Sequence, residues 1–442
     1  MPVMVLHRIA RFVTKEFDVT FEFDQEFSCE IKDYLCEYLV KQFPDCKAHF
    51  VNNGLLVLSH APVFGGGERP VRFVSIFTAG FTCKAVSKLN VNSKRNVGCV
   101  QRGEGSTGQS FLDIKAWIEK WLPEALYLEN LDDLLQVCPE TLISDADYIV
   151  DWLHSIGYGC AFHRKVNARD YGSFPLRVRL FFLAIYGQDP GDKRRLDIDM
   201  ALAAMQLESD EFEASFSAYA LPELVRTCDT KEAKLPIDRP FKYKAVHSEL
   251  FDDIGLEWPL RTDYFPKLQH IDQRAKEVIA ICNIMFPYKP EGLNLHREWL
   301  DFNLSVQLLL GKDMKSNPWR KGAFPTMTGS GQYVMRWGSP CEQTNALNVE
   351  AAEKKSYIVE FRQVDGLELF QMAGMDMKFY RNSSCVPSHE VASEMAGNCY
   401  SAFAAGPISI ALLVGLADAT VSPCEDCKDD VDSPEPHAVD SD

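Results

Sequence analysis

The stretch Val71-Arg72-Phe73-Val74-Ser75-Ile76-Phe77-Thr78, running on into Ala79-Gly80-Phe81-Thr82-Cys83-Lys84, decides the fold. Its apolar residues (Val71, Phe73, Val74, Ile76, Phe77) form a near-continuous run, as a strand covered on both faces requires. Strands of that kind sit in sheets whose connections are helices, so the surrounding chain is expected to alternate strand and helix. Residues 1–187 read that way. Phe17 to Phe23 is strand-like. Ile31 to Gln42 has helical spacing through Ile31, Leu35, Tyr38 and Leu39, and Phe43-Pro44-Asp45 stops it. Lys47 to Val51 is another strand. Ser110 can cap a helix over Phe111 to Trp121, with Leu112, Trp117, Ile118 and Trp121 on its apolar side. Ala125 to Leu128 reads as a short strand, Ala146 to Ile156 as a helix ending at Gly157, and Arg179 to Tyr186 as a strand ending at Gly187. The expectation is an α/β domain with a mainly parallel sheet.

Beyond it the pattern changes. Residues 188–387 are irregular and rich in proline, a second lobe whose fold does not follow from periodicity. Residues 388–420 contain the longest apolar stretch, Phe403 to Ala417, which is shorter than the ~20 residues of a membrane span and reads as a buried helix returning to the first domain. Residues 421–442 carry eight acids against Lys428 alone, so this tail should be disordered and available to a protein partner. It contributes to a net charge of −17, which argues against a nucleic-acid partner unless basic residues are gathered locally. They are gathered in one place: Lys84, Lys88, Lys94, Arg95 and Arg102 follow Cys83 with no acid from Lys84 to Arg102. Fourteen cysteines without regular spacing suit free thiols in a reducing compartment. The ten histidines form no ligand pattern, Cys424 and Cys427 stand alone in the tail, and Gly65-Gly66-Gly67 reads as a turn, so no metal site is expected.

In open parallel sheets the working residues lie just beyond the C-terminal ends of strands. Cys83 and Glu129 occupy such positions, while Arg177 and Arg179 open a strand instead of closing one. Singly, each has an ordinary explanation. A cysteine beside an apolar strand is a small buried hydrophobe, Glu129 could cap the segment at Asp132, and alternating arginines are most often a solvated strand face.

Together, in this order, they resemble the motif set of DNA cytosine-5 methyltransferases. Cys83-Lys84-Ala85-Val86-Ser87-Lys88-Leu89-Asn90 resembles that family's nucleophile loop, and Gly103 to Phe111 the glycine-rich stretch after it. Glu129-Asn130-Leu131 resembles its Glu-Asn-Val. Val166 to Gly172, leading to Arg177-X-Arg179, resembles the segment around its Gln-X-Arg-X-Arg motif. Phe27-Ser28-Cys29-Glu30 with Phe43-Pro44 looks like the segment whose acid holds the cofactor ribose. Pro325 to Thr328, Gly366 to Gly374, and Met395-Ala396-Gly397-Asn398 followed by Pro407 look like the later motifs.

The resemblance implies a Rossmann-like S-adenosylmethionine-dependent methyltransferase sheet with a target-recognition lobe over 188–387. It makes Cys83 the nucleophile that attacks carbon 6 of a flipped cytosine, Glu129 the carboxyl facing ring nitrogen 3, and Arg179 with Arg177 the holders of the base. It gives cofactor contacts to Glu30, Asn52, Gly397 and Asn398, and duplex DNA contacts to the five basic residues. Those cations are expected to lower the Cys83 pKa. A DNA substrate implies a nuclear location. Three departures stand against the pattern: no Phe-X-Gly-X-Gly turn precedes Glu30, as though the chain began one strand late; Phe81-Thr82 replaces a proline before the nucleophile; and Pro175 takes the glutamine position. They leave a rival reading, a homologue without cofactor that acts as a DNA-binding or regulatory scaffold, and a less favoured one, methylation of RNA.

Overall fold

A computed structural model describes residues 2–18, 20–87, 90, 92–188, 193–207, 268, 271, 273–289, 296–303, 316–321, 324–328, 331–340, 357–375, 387–398 and 401–417. The acidic tail, Cys424, Cys427 and Lys88 lie outside them, as does most of the first half of the expected second lobe.

The first part of the chain runs α1 (Pro2–Phe17), β1 (Ser28–Cys29), α2 (Asp33–Gln42), β2 (His49–Phe50), β3 (His60–Pro62), β4 (Glu68–Pro70), β5 (Ile76–Gly80), α3 (Cys99–Arg102), α4 (Gly105–Trp121), β6 (Ala125–Asn130), α5 (Asp145–Ser155), β7 (Cys160–Asn167), β8 (Val178–Ile185) and α6 (Lys193–Met205). Four strands form a sheet in the order β5-β6-β8-β7. Alternation along them explains the two cores. Leu126 and Leu128 of β6 with Leu180, Phe182 and Ala184 of β8 face α4 and α5, beside Phe111, Trp117 and Leu153. Their neighbours Ala125, Tyr127, Phe181, Leu183 and Ile185 face α6 and the last helix, beside Ile198, Ile408 and Leu412. Burial on both faces is why these strands read as continuous apolar runs. Ser144 caps α5 by accepting from the Asp147 amide at 3.0 Å.

The sheet is mixed. β5 and β6 are parallel, but β8 runs antiparallel to both β6 and β7. β7 was not anticipated, because Arg164 and Lys165 break its apolar pattern on the exposed edge. The expected strand at Phe17–Phe23 is absent. α1 runs through Phe17, Asp18 follows with φ 52°, and the Phe21 and Phe23 rings pack on each other at 5.0 Å with no strand partner. β5 also starts later than Val71, whose amide bonds back to Ser59 beside the β3–β4 hairpin. α4 begins at Gly105, not at Phe111, and Ser110 is not its cap.

β1 and β2 form a separate parallel pair. Phe27, just before β1, and Phe77 of β5 lie against the same indole, Trp117, with ring centroids 5.8 Å and 4.2 Å away. Among the described residues no strand pairing joins the two sheets across that indole.

Then follow α7 (Gln273–Met285), β9 (Arg297–Asp301), β10 (Arg320–Lys321), β11 (Tyr333–Pro340), β12 (Tyr357–Gln363), α8 (Gly366–Met372), α9 (His389–Asn398) and α10 (Ala402–Ala417). The strands β10-β9-β11-β12 make an antiparallel sheet. Arg336 is fully buried there, with its Nε 2.6 Å from Glu298, its Nη1 2.7 Å from Asn283, and its guanidinium 4.0 Å over the Trp319 ring. Burying that charge is tolerable because its donors are matched. α10 holds Pro407 and packs on the first sheet through Ala404, Ile408, Ala411 and Leu412.

Candidate active site

Strand direction gathers the chemistry. Glu129, near the end of β6, lies opposite Gly80 at the end of β5 and opposite Phe181 of β8. Because β8 is antiparallel to β6, its first residues lie at the end where β5 and β6 finish. Arg179 therefore reaches the same place as Cys83 although it opens its strand.

Arg179 Nε donates to Glu129 Oε1 at 2.9 Å, and the two side chains are only 12% and 13% exposed. That pairing excludes the helix-cap role for Glu129 and the solvated-face role for Arg179. Burial raises the Glu129 pKa above the usual carboxylate range, against the opposing pull of Arg179 and Arg177. The Cys83 thiol is also pushed up, first by burial and then by the Glu129 charge, while Arg179 and Arg177 pull it down. The expected lowering by flanking lysines is thus corrected: Lys84, Lys94 and Arg95 are exposed, and water screens their charges from the half-buried sulfur.

Arg177 does a different job. It is 2% exposed, and its Nη1 and Nη2 donate to the carbonyls of Met327 at 3.0 Å and Gly397 at 2.9 Å. It ties the start of β8 to the segment before β11 and to the end of α9, and it acts on the site through its charge. Arg102 likewise turns to its own surroundings, with Nε 2.8 Å from Glu104 and Nη2 3.0 Å from the Val97 carbonyl.

The loop bearing Cys83 is held at many points. Thr82 N–H donates to Ser110 Oγ at 3.0 Å, and Ala85 N–H to Thr107 Oγ1 at 3.2 Å. Asn130 Nδ2 donates to the Phe81 carbonyl at 2.9 Å. Asn90 Nδ2 and Asn96 Nδ2 donate to the Ala85 carbonyl at 3.3 Å and 2.8 Å. Asn90, Asn130, Thr107 and Ser110 all lie in stretches singled out from the sequence, but none was given this holding role there, since a hydroxyl or amide gives no local sign of what it will grip. Asn130, adjacent to Glu129, carried the nearest signal.

On the cofactor side, Glu30 follows β1, and its Oε1 accepts the amides of Ile31 at 2.9 Å and Lys32 at 3.1 Å. Its second oxygen has no partner among the described residues, which suits a ribose diol. Asn52 Oδ1 accepts from Gly54 N–H at 2.9 Å. Gly397 offers its backbone near Arg177, and Asn398 is exposed at the end of α9. Lys32 and Tyr34 both bond Glu394, which brings α9 over the β1–α2 turn. The ribose end of S-adenosylmethionine thus fits the residues present. Between β1 and β5 the described residues offer no backbone cradle for its amino-acid end.

Residues 19–232 match the model of the C-5 cytosine-specific DNA methylase family. The chain is 24% identical over 192 residues to the DNA (cytosine-5-)-methyltransferase DMT5 of Cryptococcus neoformans, covering 43% of this chain and 7% of that protein. It is 25% identical over 179 residues to the type II methyltransferase M.Sau3AI of Staphylococcus aureus, covering 40% of each. The chain therefore spans less than half the length of either relative. Among solved structures, the S. pombe Dnmt2 methyltransferase superposes with a TM-score of 0.45 at 12% identity, over 92% of this chain and 95% of that one. A putative DNA modification methyltransferase from an E. coli prophage gives 0.42 at 14%, over 90% and 92%. With its motifs in order, the stretch 19–232 is a domain of the C-5 cytosine-specific DNA methylase family.

Proposed function

We propose that this protein methylates carbon 5 of cytosine in duplex DNA through a covalent adduct on Cys83. The observation that supports this most is the convergence of Cys83, Glu129 and Arg179 at one end of the sheet, with the Glu129 and Arg179 side chains paired at 2.9 Å. Cytosine carbon 5 is a poor nucleophile, so the ring must first accept an electron pair elsewhere. The Cys83 thiol gives up its proton to solvent and its sulfur forms a bond to carbon 6; the displaced electrons move toward nitrogen 3, where Glu129 delivers a proton that it recovers as carbon 5 becomes the nucleophile. Burial raises the Glu129 pKa and so favours the protonated form that this step needs. Arg179 fixes Oε1, which leaves the other carboxyl oxygen to face the ring. Bound S-adenosylmethionine would supply the methyl group, with Glu30, Asn52, Gly397 and Asn398 around it. Loss of the proton from carbon 5 to solvent then re-forms the carbon 5–carbon 6 double bond, and Cys83 leaves as the thiolate.

The target carbon is inaccessible in a duplex, so the base must be flipped out. Exposed Lys84, Lys94 and Arg95 beside Cys83 suit phosphate contacts there, and Lys88 of the same run extends that reading. The lobe over 188–387 would read the target, α10 closes the catalytic domain, and a DNA substrate places the protein in the nucleus.

The rival is the scaffold reading, since among the described residues no strand pairing joins β1 to β5, where the cofactor's amino-acid end would need backbone donors. Transfer of labelled methyl from S-adenosylmethionine to unmethylated duplex DNA separates the two. Label in 5-methylcytosine, lost in Cys83→Ala, is the expected result. No label, together with no thermal stabilisation by S-adenosylhomocysteine, would overturn the enzyme reading.

A further inference from the structure

The residue before Cys83 is Thr82, and a threonine has what a proline lacks: a backbone N–H that needs an acceptor and a φ angle that is free to vary. Both are dealt with by α4. Ser110 Oγ accepts the Thr82 amide at 3.0 Å and donates its own proton to the Thr107 carbonyl at 3.1 Å, which fixes the direction of its lone pairs. One turn earlier, fully buried Thr107 accepts the Ala85 amide with its Oγ1 at 3.2 Å. The two hydroxyls are three residues apart, so they project from the same face of α4. They bind the amides on either side of Cys83, one residue before it and two after.

We infer that Ser110 and Thr107 form a hydroxyl clamp that aims the Cys83 sulfur, and that the Ser110–Thr82 bond does here the stiffening that a proline would otherwise do. Ser110 touches no reacting atom; it is a positioning residue. The helix is well suited to the task. Phe111, beside Ser110, is fully buried against Phe81 at 5.4 Å and Trp152 at 5.5 Å, so the clamp stands on a fixed base. Thr82 is not among the positive-φ residues, so a proline in its place meets no left-handed backbone.

This inference rests on Cys83 being the nucleophile, and its test keeps the two apart by reading the loop directly. Amide hydrogen exchange of the peptides covering residues 81–87 is followed in the full chain for the unchanged protein, Ser110→Ala, Ser110→Thr and Ser110→Ala with Thr82→Pro. Methyl transfer is measured alongside. Expected are roughly tenfold faster exchange at Thr82 and along the loop that follows it in Ser110→Ala, and a kcat lower by roughly ten- to a hundredfold with KM for the cofactor unchanged. Ser110→Thr, which keeps the hydroxyl, and the proline double variant, which no longer needs an acceptor, should both recover. If Ser110→Ala leaves exchange unchanged, the clamp is refuted whatever the activity. If exchange quickens but Thr82→Pro does not restore the slow rate, Ser110 acts on packing instead, and the inference fails. If the unchanged protein transfers no methyl group, the enzyme reading fails while exchange still decides the clamp.

Discussion

Replacing Arg179 by methionine should destabilise the protein in a pH-dependent way that identifies Glu129 as its partner. The pair is 2.9 Å apart with side chains 12% and 13% exposed, so solvent screening is slight. Breaking such a pair by removing one member costs about 3–5 kcal/mol, because the other charge stays buried without compensation. The sign with pH follows from Glu129, whose pKa in the folded protein is already raised, chiefly by burial. A carboxyl of that kind contributes stability that is fully present below its unfolded pKa and is lost as pH rises through its folded pKa. Arg179 opposes the raising, so Arg179→Met pushes the folded pKa higher still. Measured at pH 8, where ionisation of the unpaired carboxyl is favoured, the variant should show the larger cost, ~3 kcal/mol or more where the charge forms. Measured at pH 5, where the protonated form is favoured, the cost should fall toward that of a lost hydrogen bond, ~1 kcal/mol. Urea unfolding followed by tryptophan fluorescence at both pH values, with Glu129→Gln and the double variant completing a cycle, measures this. An equal cost at both pH values, or a double variant as unstable as the sum of the singles, would refute the reasoning.

Cys83 should alkylate faster as pH rises, with an apparent pKa above that of an ordinary thiol. Glu129→Gln should shift that pKa down and Arg179→Met should shift it up, as mass spectrometry of iodoacetamide-treated protein would show; the reverse order overturns the electrostatic account. Arg177→Ala leaves the Met327 and Gly397 carbonyls without their donors and should cost about 2–4 kcal/mol. Arg177→Lys cannot span two carbonyls and should recover at most part of that; a urea midpoint identical to the unchanged protein would show the tie to be unimportant.

Much of the first domain was legible because burial leaves a local trace. The apolar runs Ala125–Leu128 and Leu180–Leu183 are strands between two helical layers, and α2 and α5 match their stop and cap signals. The failures share a cause. Phe17 to Phe23 alternates like a strand, yet a strand exists only beside another strand; among the described residues none pairs with it, and the Phe21 amide goes to the Thr14 hydroxyl. β7 lacks a clean pattern, yet it pairs along all eight residues with β8. Ser110 has the chemistry of a helix cap, but its acceptor serves Thr82 across a long loop.

By itself the sequence determined which residues carry chemistry and in what order, because identity and spacing are written along the chain: Cys83 after a buried strand, Glu129 at the end of another, two arginines two apart. Only the tertiary structure decided what each side chain does. The antiparallel return of β8 brings Arg179 to Glu129, while Arg177, just ahead of the paired part of the strand, binds two carbonyls. Spacing of two puts residues on one face only while the strand is regular, and Arg177 precedes its first paired residue, Val178. Strand direction, burial and the acceptor that meets each donor are set by contacts between distant segments, and no local pattern encodes them.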